Sequence, residues 1–324
     1  MRTITYRQAL YEALQEEMQS DPNVILLGED IAEYGGAFGV TKDLWKLFGK
    51  ERVINAPISE NSFVGAACGM ALLGMRPVVE IMFMDFITLA ADQIINHAAK
   101  LPFMYAGQVK LPLVIRTPMG AGRGYGASHS QSLERLFMGV PGLQMVAPYT
   151  CADAKGLLKA AIRQDSPVLF IEHKLLYAQE GVIPDGQAIP EFGKAAVLKE
   201  GKDLTIISYS RMLDLCLEAA AGFAGEADIE VLDLRSLRPL DMETIAASVC
   251  KTGKVVFVEE GPVTGGIGAE VCASIAEKCL EYLNGRIVRV GCEDSPIPSS
   301  RALEEAMLPN TQKIAQAVRK ALAW

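Results

Sequence analysis

The sequence predicts an α/β fold of two domains, each built on a parallel sheet. Three observations carry that prediction. Continuous apolar runs of strand length alternate with amphipathic, helix-length segments from end to end. The runs show little polar alternation, which is the pattern of strands covered on both faces. Turn and linker signals concentrate in one stretch, around Pro184, Asp185-Gly186, Pro190 and Glu200-Gly201. The boundaries read as a first domain over 1–185, a linker over 186–203 and a second domain over 204–324. A chain of 324 residues, half of them hydrophobic, is long enough for two cores.

In the first domain, Thr5 to Gln8 fits a capping box. Ala9, Leu10, Ala13 and Leu14 then give the helical period. Val24 to Leu27 reads as a buried strand ending at Gly28-Glu29-Asp30, and Val78 to Met82 as another. Asp85 opens a helix running through Ile94, Ile95, Ala98 and Leu101. Leu113 to Arg116 and Val168 to Ile171 are further strands, and Thr150 caps a helix over 150–162. In the second domain, strands are expected over 204–208, 229–232, 254–258 and 287–290. Helices are expected around 213–223, 241–250, 269–283 and 313–322.

A net charge of −8 argues against a nucleic-acid partner. No run of about eighteen apolar residues is present to span a bilayer. With no signal or transit segment read at the start, the expected location is the cytoplasm. The seven cysteines are scattered without a Cys-x-x-Cys pair and read as buried reduced thiols. Three histidines, His97, His129 and His173, are too few and too dispersed for a histidine-built metal site.

Three stretches carry chemistry. The first is Ala56-Pro-Ile-Ser-Glu60, a Pro turn and one carboxylate opening a helix of small residues. Asn61 or Ser62 is the expected cap. Gly65 and Gly69, like Ala67 and Ala71, share a helical face and would let a neighbour approach closely. Spacing alone favours reading Glu60 as a first-turn charge on the helix dipole. The second stretch is Gly120-Ala-Gly122-Arg-Gly124-Tyr-Gly126-Ala-Ser-His129-Ser-Gln-Ser132. Its alternate glycines exclude a regular helix and form a loop suited to lining a site, with His129 either a working imidazole or a surface one. The third, Gly261-Pro-Val-Thr-Gly265-Gly266-Ile-Gly268, lacks the last glycine of a dinucleotide loop, since residue 271 is Val. It reads as a tight turn before a helix rather than as the NAD site of an oxidoreductase.

The Ala56 to Glu60 motif followed by Gly65-Ala-Ala, the His129-Ser130-Gln131 signature and Arg238-Pro-Leu-Asp241 together resemble a known family. It comprises the beta subunits of thiamine-diphosphate-dependent dehydrogenase components of 2-oxo acid (pyruvate) and acetoin dehydrogenase complexes. The resemblance runs over nearly the whole chain. It implies a pyrimidine-binding thiamine-diphosphate domain followed by a transketolase C-terminal-like domain. It implies that Glu60 pairs with N1′ of the cofactor's aminopyrimidine and that Met82 and Phe86 touch its ring. Glu29 would be an acidic neighbour and His129 a catalytic residue in acyl transfer to lipoamide, with Ser128 where many relatives carry a second histidine. It further implies potassium on main-chain oxygens of Leu113, Ala161, Ile162, Gln164 and Ser166.

No Gly-Asp-Gly diphosphate motif occurs in the chain. Thiamine diphosphate would therefore be shared with another polypeptide, which the resemblance implies to be an alpha subunit that holds Mg²⁺, in an α2β2 heterotetramer. Docking of the lipoyl acyltransferase core would fall on Asp294 and Trp324. Glu172 to Tyr177 resembles acetoin-type chains, whereas Glu33 to Phe38 and Leu237 to Asp241 fit pyruvate-type chains as well. A branched-chain 2-oxo acid subunit and a non-catalytic docking subunit are the remaining alternatives.

Overall fold

The structure, a computed structural model, describes residues 1–184, 186 and 189–324. Asp185, at the end of the first expected domain, and Gln187 and Ala188 of the expected linker lie outside the described residues. The chain divides into two compact units. One is Met1–Met119 with Leu136–Phe192, and the other is Gly120–Arg135 with Gly193–Trp324.

The first unit contains β1 (Arg2–Thr5), α1 (Tyr6–Ser20), β2 (Val24–Gly28), α2 (Leu44–Phe48), β3 (Val53–Asn55), α3 (Glu60–Leu72) and β4 (Arg76–Glu80). It continues with α4 (Leu101–Met104), β5 (Val114–Met119), β6 (Gln144–Val146), α5 (Cys151–Arg163), β7 (Val168–His173) and β8 (Glu180–Ile183). Parallel strands run in the order β6-β7-β5-β4-β2-β3, while β1 and β8 form a separate antiparallel pair. Strands β2, β5 and β7 are buried at every position, as expected of strands covered on both faces. Thr5 caps α1 by accepting from the Gln8 amide, and Thr150 caps α5 by accepting from the Asp153 amide. Helices α1 and α5 pack together, and Lys155, Lys159 and Arg163 reach Glu12, Glu16 and Glu17 across that packing.

Two local expectations change. Helix α3 starts at Glu60 itself, one residue before the expected caps. Ser59 is its N-cap residue and makes no side-chain cap bond, because its hydroxyl bonds that of Ser62 at 2.7 Å. The helix expected from Asp85 is not a single α-helix. It is a 3₁₀ stretch over Met84–Ala90 followed by a π stretch over Gln93–Ala98. Gln93 lies against Gly65 of α3, where a Cβ would come 2.9 Å from its side-chain oxygen. The small-residue face of α3 therefore admits a side chain at Gly65, while nothing lies within 4 Å of a Cβ at Gly69.

The second unit contains β9 (Ala196–Lys199), β10 (Leu204–Ser208), α6 (Met212–Ala221), β11 (Ile229–Asp233), β12 (Ser236–Arg238), α7 (Met242–Thr252) and β13 (Val255–Pro262). It ends with α8 (Ile267–Cys279), β14 (Val288–Cys292), α9 (Arg301–Met307) and α10 (Thr311–Leu322). Its sheet runs β14-β13-β10-β11-β9, parallel except for β9. Residues read as linker thus supply an edge strand. The Gly261 to Gly268 stretch is a turn into α8. The first-turn amide of Gly268 is already taken by Glu259, at 3.2 Å, so this chain's own carboxylate sits where a pyrophosphate would. Burial, with the Glu134 carboxyl nearby, pushes the Glu259 pKa up to about 8. Among the described residues, no helix is long and apolar enough to cross a membrane.

Candidate active site

In an open parallel sheet, ligands bind beyond the carboxyl ends of the strands. The expected pyrimidine-site residues fall there on three adjacent strands of the first unit. Strand β2 ends at Gly28 and delivers Glu29, β3 leads through the Pro57 turn to Glu60, and β4 delivers Met82 and Phe86. The register pairs Gly28 with both Asn55 and Glu80, so the three strand ends are level. The turn out of β3 is fixed by the Ala56 amide donating to the Gly28 carbonyl at 2.8 Å. The Ala32 amide donates to the Asn55 side chain, also at 2.8 Å.

Glu60 is 5% exposed and Glu29 7%. Burial, then the negative charges of Glu60 and Asp30, raise the Glu29 pKa from 4.5 to about 6. Glu29 Oε1 is buried with no hydrogen-bond partner. An uncompensated buried carboxylate oxygen is costly and marks a place where a further donor fits. Helix α3 packs on the 3₁₀ stretch that carries Phe86. Met82 and Phe86 are half-buried, and Phe86 meets Phe83 edge to face with ring centroids 6.0 Å apart. A thioether and an aromatic edge beside paired carboxylates make a wall suited to a flat heteroaromatic ring with a basic nitrogen. The residues fit an aminopyrimidine.

Beneath this wall lies a network that sequence reasoning missed. Arg116 of β5 is fully buried. It binds Glu172 of β7 through two nitrogens, at 2.7 and 2.9 Å, and Glu80 of β4 at 2.9 Å. The Tyr177 hydroxyl donates to Glu172 at 2.6 Å. Burial raises the Glu80 pKa against the lowering effect of Arg116. Glu80 and Arg116 are register partners on adjacent strands. Opposite charges interrupting two apolar strand runs were the available signal. Glu172 and Tyr177, read as acetoin-like, serve this buried network.

The glycine-rich loop was expected inside the first domain, but its hydrogen bonds place it in the second unit. The Ala121 amide donates to Glu260, and the Gly122 and Gly124 amides donate to Glu304. His129 is half-buried, with Nδ1 3.0 Å from the Ser128 hydroxyl and its amide donating to the Gly126 carbonyl at 3.3 Å. A groove of about 280 Å³ beside the loop is lined by Ser130, Arg135, Glu260, Cys292 and Asp294. Asp294 and Trp324 are exposed, and the Arg286 guanidinium stacks 4.9 Å from the Trp324 ring.

Four of the five expected potassium ligands, all but Ser166, have partners among the described residues. The Ile162 and Gln164 carbonyls accept from Arg76 at 3.0 and 2.9 Å. The Leu113 carbonyl accepts from the Val168 amide and the Ala161 carbonyl from the Gln164 amide. Each carbonyl retains a second lone pair, so the oxygens fit main-chain ligation, but a cation would share two of them with a guanidinium.

The transketolase pyrimidine binding domain family matches residues 2–179, and the transketolase C-terminal domain family matches residues 193–314. The chain is 45% identical to the pyruvate dehydrogenase E1 component subunit beta-2, mitochondrial, of Oryza sativa subsp. japonica, over 99% of this chain and 86% of that one. It is 42% identical to the pyruvate dehydrogenase E1 component subunit beta of Rhizobium meliloti, over 98% of this chain and 70% of that one. A solved structure described as "Split gene transketolase, inactive beta4 tetramer" superposes with a TM-score of 0.80 at 29% identity, covering 99% of this chain and 98% of that one. The chain belongs to the family of dehydrogenase beta subunits built from a transketolase pyrimidine-binding domain followed by a transketolase C-terminal domain.

Proposed function

We propose that this chain is the beta subunit of a thiamine-diphosphate-dependent pyruvate dehydrogenase component and works only with an alpha subunit. The observation that carries the reading is the Glu29–Glu60 pair at the carboxyl edge of the sheet, beside Met82 and Phe86. When bound, thiamine diphosphate supplies the carbanion chemistry that cleaves the bond next to the substrate carbonyl. Glu60 holds a proton at N1′ of the aminopyrimidine. Glu29 keeps negative potential beside Glu60, which favours uptake of a proton at the site when the ring nitrogen arrives. Met82 and Phe86 orient the ring and exclude water. His129 acts at acyl transfer to the lipoyl group of an acyltransferase, whose docking involves Asp294 and Trp324.

The sequence has no Gly-Asp-Gly segment, which supports assigning the diphosphate and Mg²⁺ to the alpha chain of an α2β2 assembly. Pyruvate is favoured over acetoin for two reasons. Relatives at 42–45% identity carry the pyruvate name. The acetoin-like residues Glu172 and Tyr177 are occupied in the Arg116 network. We retain potassium on the main-chain oxygens of Leu113, Ala161, Ile162, Gln164 and Ser166, shared with Arg76. The domain limits 1–185 and 204–324 are kept with the loop 120–135 assigned to the second domain. The proposed location is the cytoplasm, to be checked by fractionation.

The test is to purify the chain with an alpha subunit and assay pyruvate and acetoin with an artificial electron acceptor. Pyruvate should reduce the dye, and Glu60→Gln should cost about 10²-fold or more in turnover. Full turnover by Glu60→Gln would sink the assignment.

A further inference from the structure

We propose that Glu304, together with Glu260, is a positioning residue that holds the His129 loop in a single conformation through its main-chain amides. The loop has little order of its own. Gly120, Gly122, Gly124 and Gly126 all adopt left-handed φ, at 103°, 92°, 69° and 74°. Glycine populates that region freely, so the glycines themselves do not select one arrangement. No helix or strand forms between Gly120 and Leu133. Even so, Ala121, Ser130 and Ser132 are buried, and so is Gly126.

Order is imposed from elsewhere in the second unit. Glu304 lies on α9 and is fully buried. One of its carboxylate oxygens accepts from the Gly122 amide at 2.8 Å, and the other accepts from the Gly124 amide at 2.9 Å. Glu260 lies on β13 and is 5% exposed. Its Oε1 accepts from the Ala121 amide at 2.8 Å and from the Ser132 hydroxyl at 3.0 Å. The four bonds bracket His129 in sequence. Within the loop itself the Gly120 amide donates to the Gln131 carbonyl over a long 3.4 Å. Shape adds to this: a Cβ on Gly124 would lie 3.3 Å from the Ser299 carbonyl, and one on Gly126, a further glycine of the loop, would collide with the Ser299 side chain.

A buried carboxylate is expensive unless its oxygens are bonded. Here the loop amides are what compensate it, through charge-assisted bonds roughly twice as strong as neutral ones. Successive amides turned inward by left-handed residues form an anion-binding concavity, and the chain fills this one with its own side chain. The anchors lie far from the loop in sequence, so its order is set by residues that its own glycine motif does not contain.

The catalytic consequence rests on the proposed role of His129, whereas the clamp itself does not. The test uses the assembled complex with its alpha subunit. Amide hydrogen exchange in the unaltered protein should show Gly122 and Gly124 protected at least about tenfold over their unstructured-chain rates. Glu304→Gln replaces one accepting oxygen with a donor, and exchange across 120–132 should rise about tenfold. The rate of acyl transfer to a lipoyl domain, divided by the rate of dye reduction, should fall several-fold, and Glu260→Gln should act in the same direction. Unprotected Gly122 and Gly124 amides in the unaltered complex would overturn the clamp. So would unchanged exchange in Glu304→Gln, whereas an equal loss in both assays would overturn the catalytic consequence alone. Should Glu304→Gln not assemble, Glu260→Gln and the unaltered protein still decide. His129→Ala separates the two readings. If it leaves the ratio of activities unchanged while Glu304→Gln loosens the loop, the role of His129 fails and the clamp stands.

Discussion

Two sets of buried carboxylates, one on the first unit's sheet and one just beyond its strand ends, are treated in opposite ways. Glu80 and Glu172 flank Arg116, and every one of their contacts with it is a short, charge-assisted bond. Glu29 and Glu60 sit two strand ends away, and the charges that act on Glu29 are both negative. The first set is closed: donors and acceptors match, and a tyrosine takes up a remaining acceptor site. The second set is open, with an orphaned oxygen and a pKa displaced toward neutrality. The difference teaches how to tell a carboxylate that holds a fold from one that awaits a partner. Burial is common to both, and the presence of a cation separates them.

The contrast can be broken most forcefully at Arg116. Arg116→Met leaves two buried carboxylates without their cation and should cost about 3–5 kcal/mol of stability. Chemical denaturation of the complex checks this. A variant of unchanged stability would mean that the network is not closed as described. Glu60→Gln should do the reverse, abolishing most turnover while leaving the denaturation midpoint within about 1 kcal/mol of the original.

Glu29 gives a smaller effect whose sign is fixed. Its folded pKa, about 6, lies above its ordinary 4.5, so the folded state binds the proton more tightly than the unfolded chain. The group therefore contributes stability below the unfolded value, and that contribution is lost as pH rises through about 6. Glu29→Gln should flatten this slope and, after allowance for solvent screening, stabilise the protein at pH 7 by about 1 kcal/mol. Thermal melts from pH 4.5 to pH 7.5 decide; a variant with the original slope would assign the shift elsewhere.

The smallest effect concerns potassium. Replacing sodium by potassium at equal ionic strength should stabilise by about 1 kcal/mol or less, as for a weak site near saturation. Arg76→Met, which removes the competing cation from two carbonyls, should enlarge that difference. No difference in either protein would remove the site.

What was legible in the sequence followed from local chemistry. Buried strands such as β10 announced themselves as apolar runs, and Thr5 and Thr150 as caps, because the signal and the structure lie within a few residues. Glu60 was legible through its motif, and the structure adds the level strand ends that bring it beside Glu29. Long-range pairings were hidden. Glu172 is 56 residues from Arg116, and Glu304 is 180 residues from Gly124, so no window of sequence joins them. The edge strand β9 was hidden for another reason. It sits in a region punctuated by Pro and Gly, and its pairing with β11 overrides local composition.

The most direct test of the open carboxylate pair is calorimetric titration of thiamine diphosphate with Mg²⁺ into the complex, in buffers of different ionisation heat near pH 7. A carboxylate that shares a proton with a ring nitrogen must acquire it on binding. The account predicts uptake of about one proton per site, absent in Glu60→Gln. Binding with no proton uptake, or uptake that persists in Glu60→Gln, would contradict it.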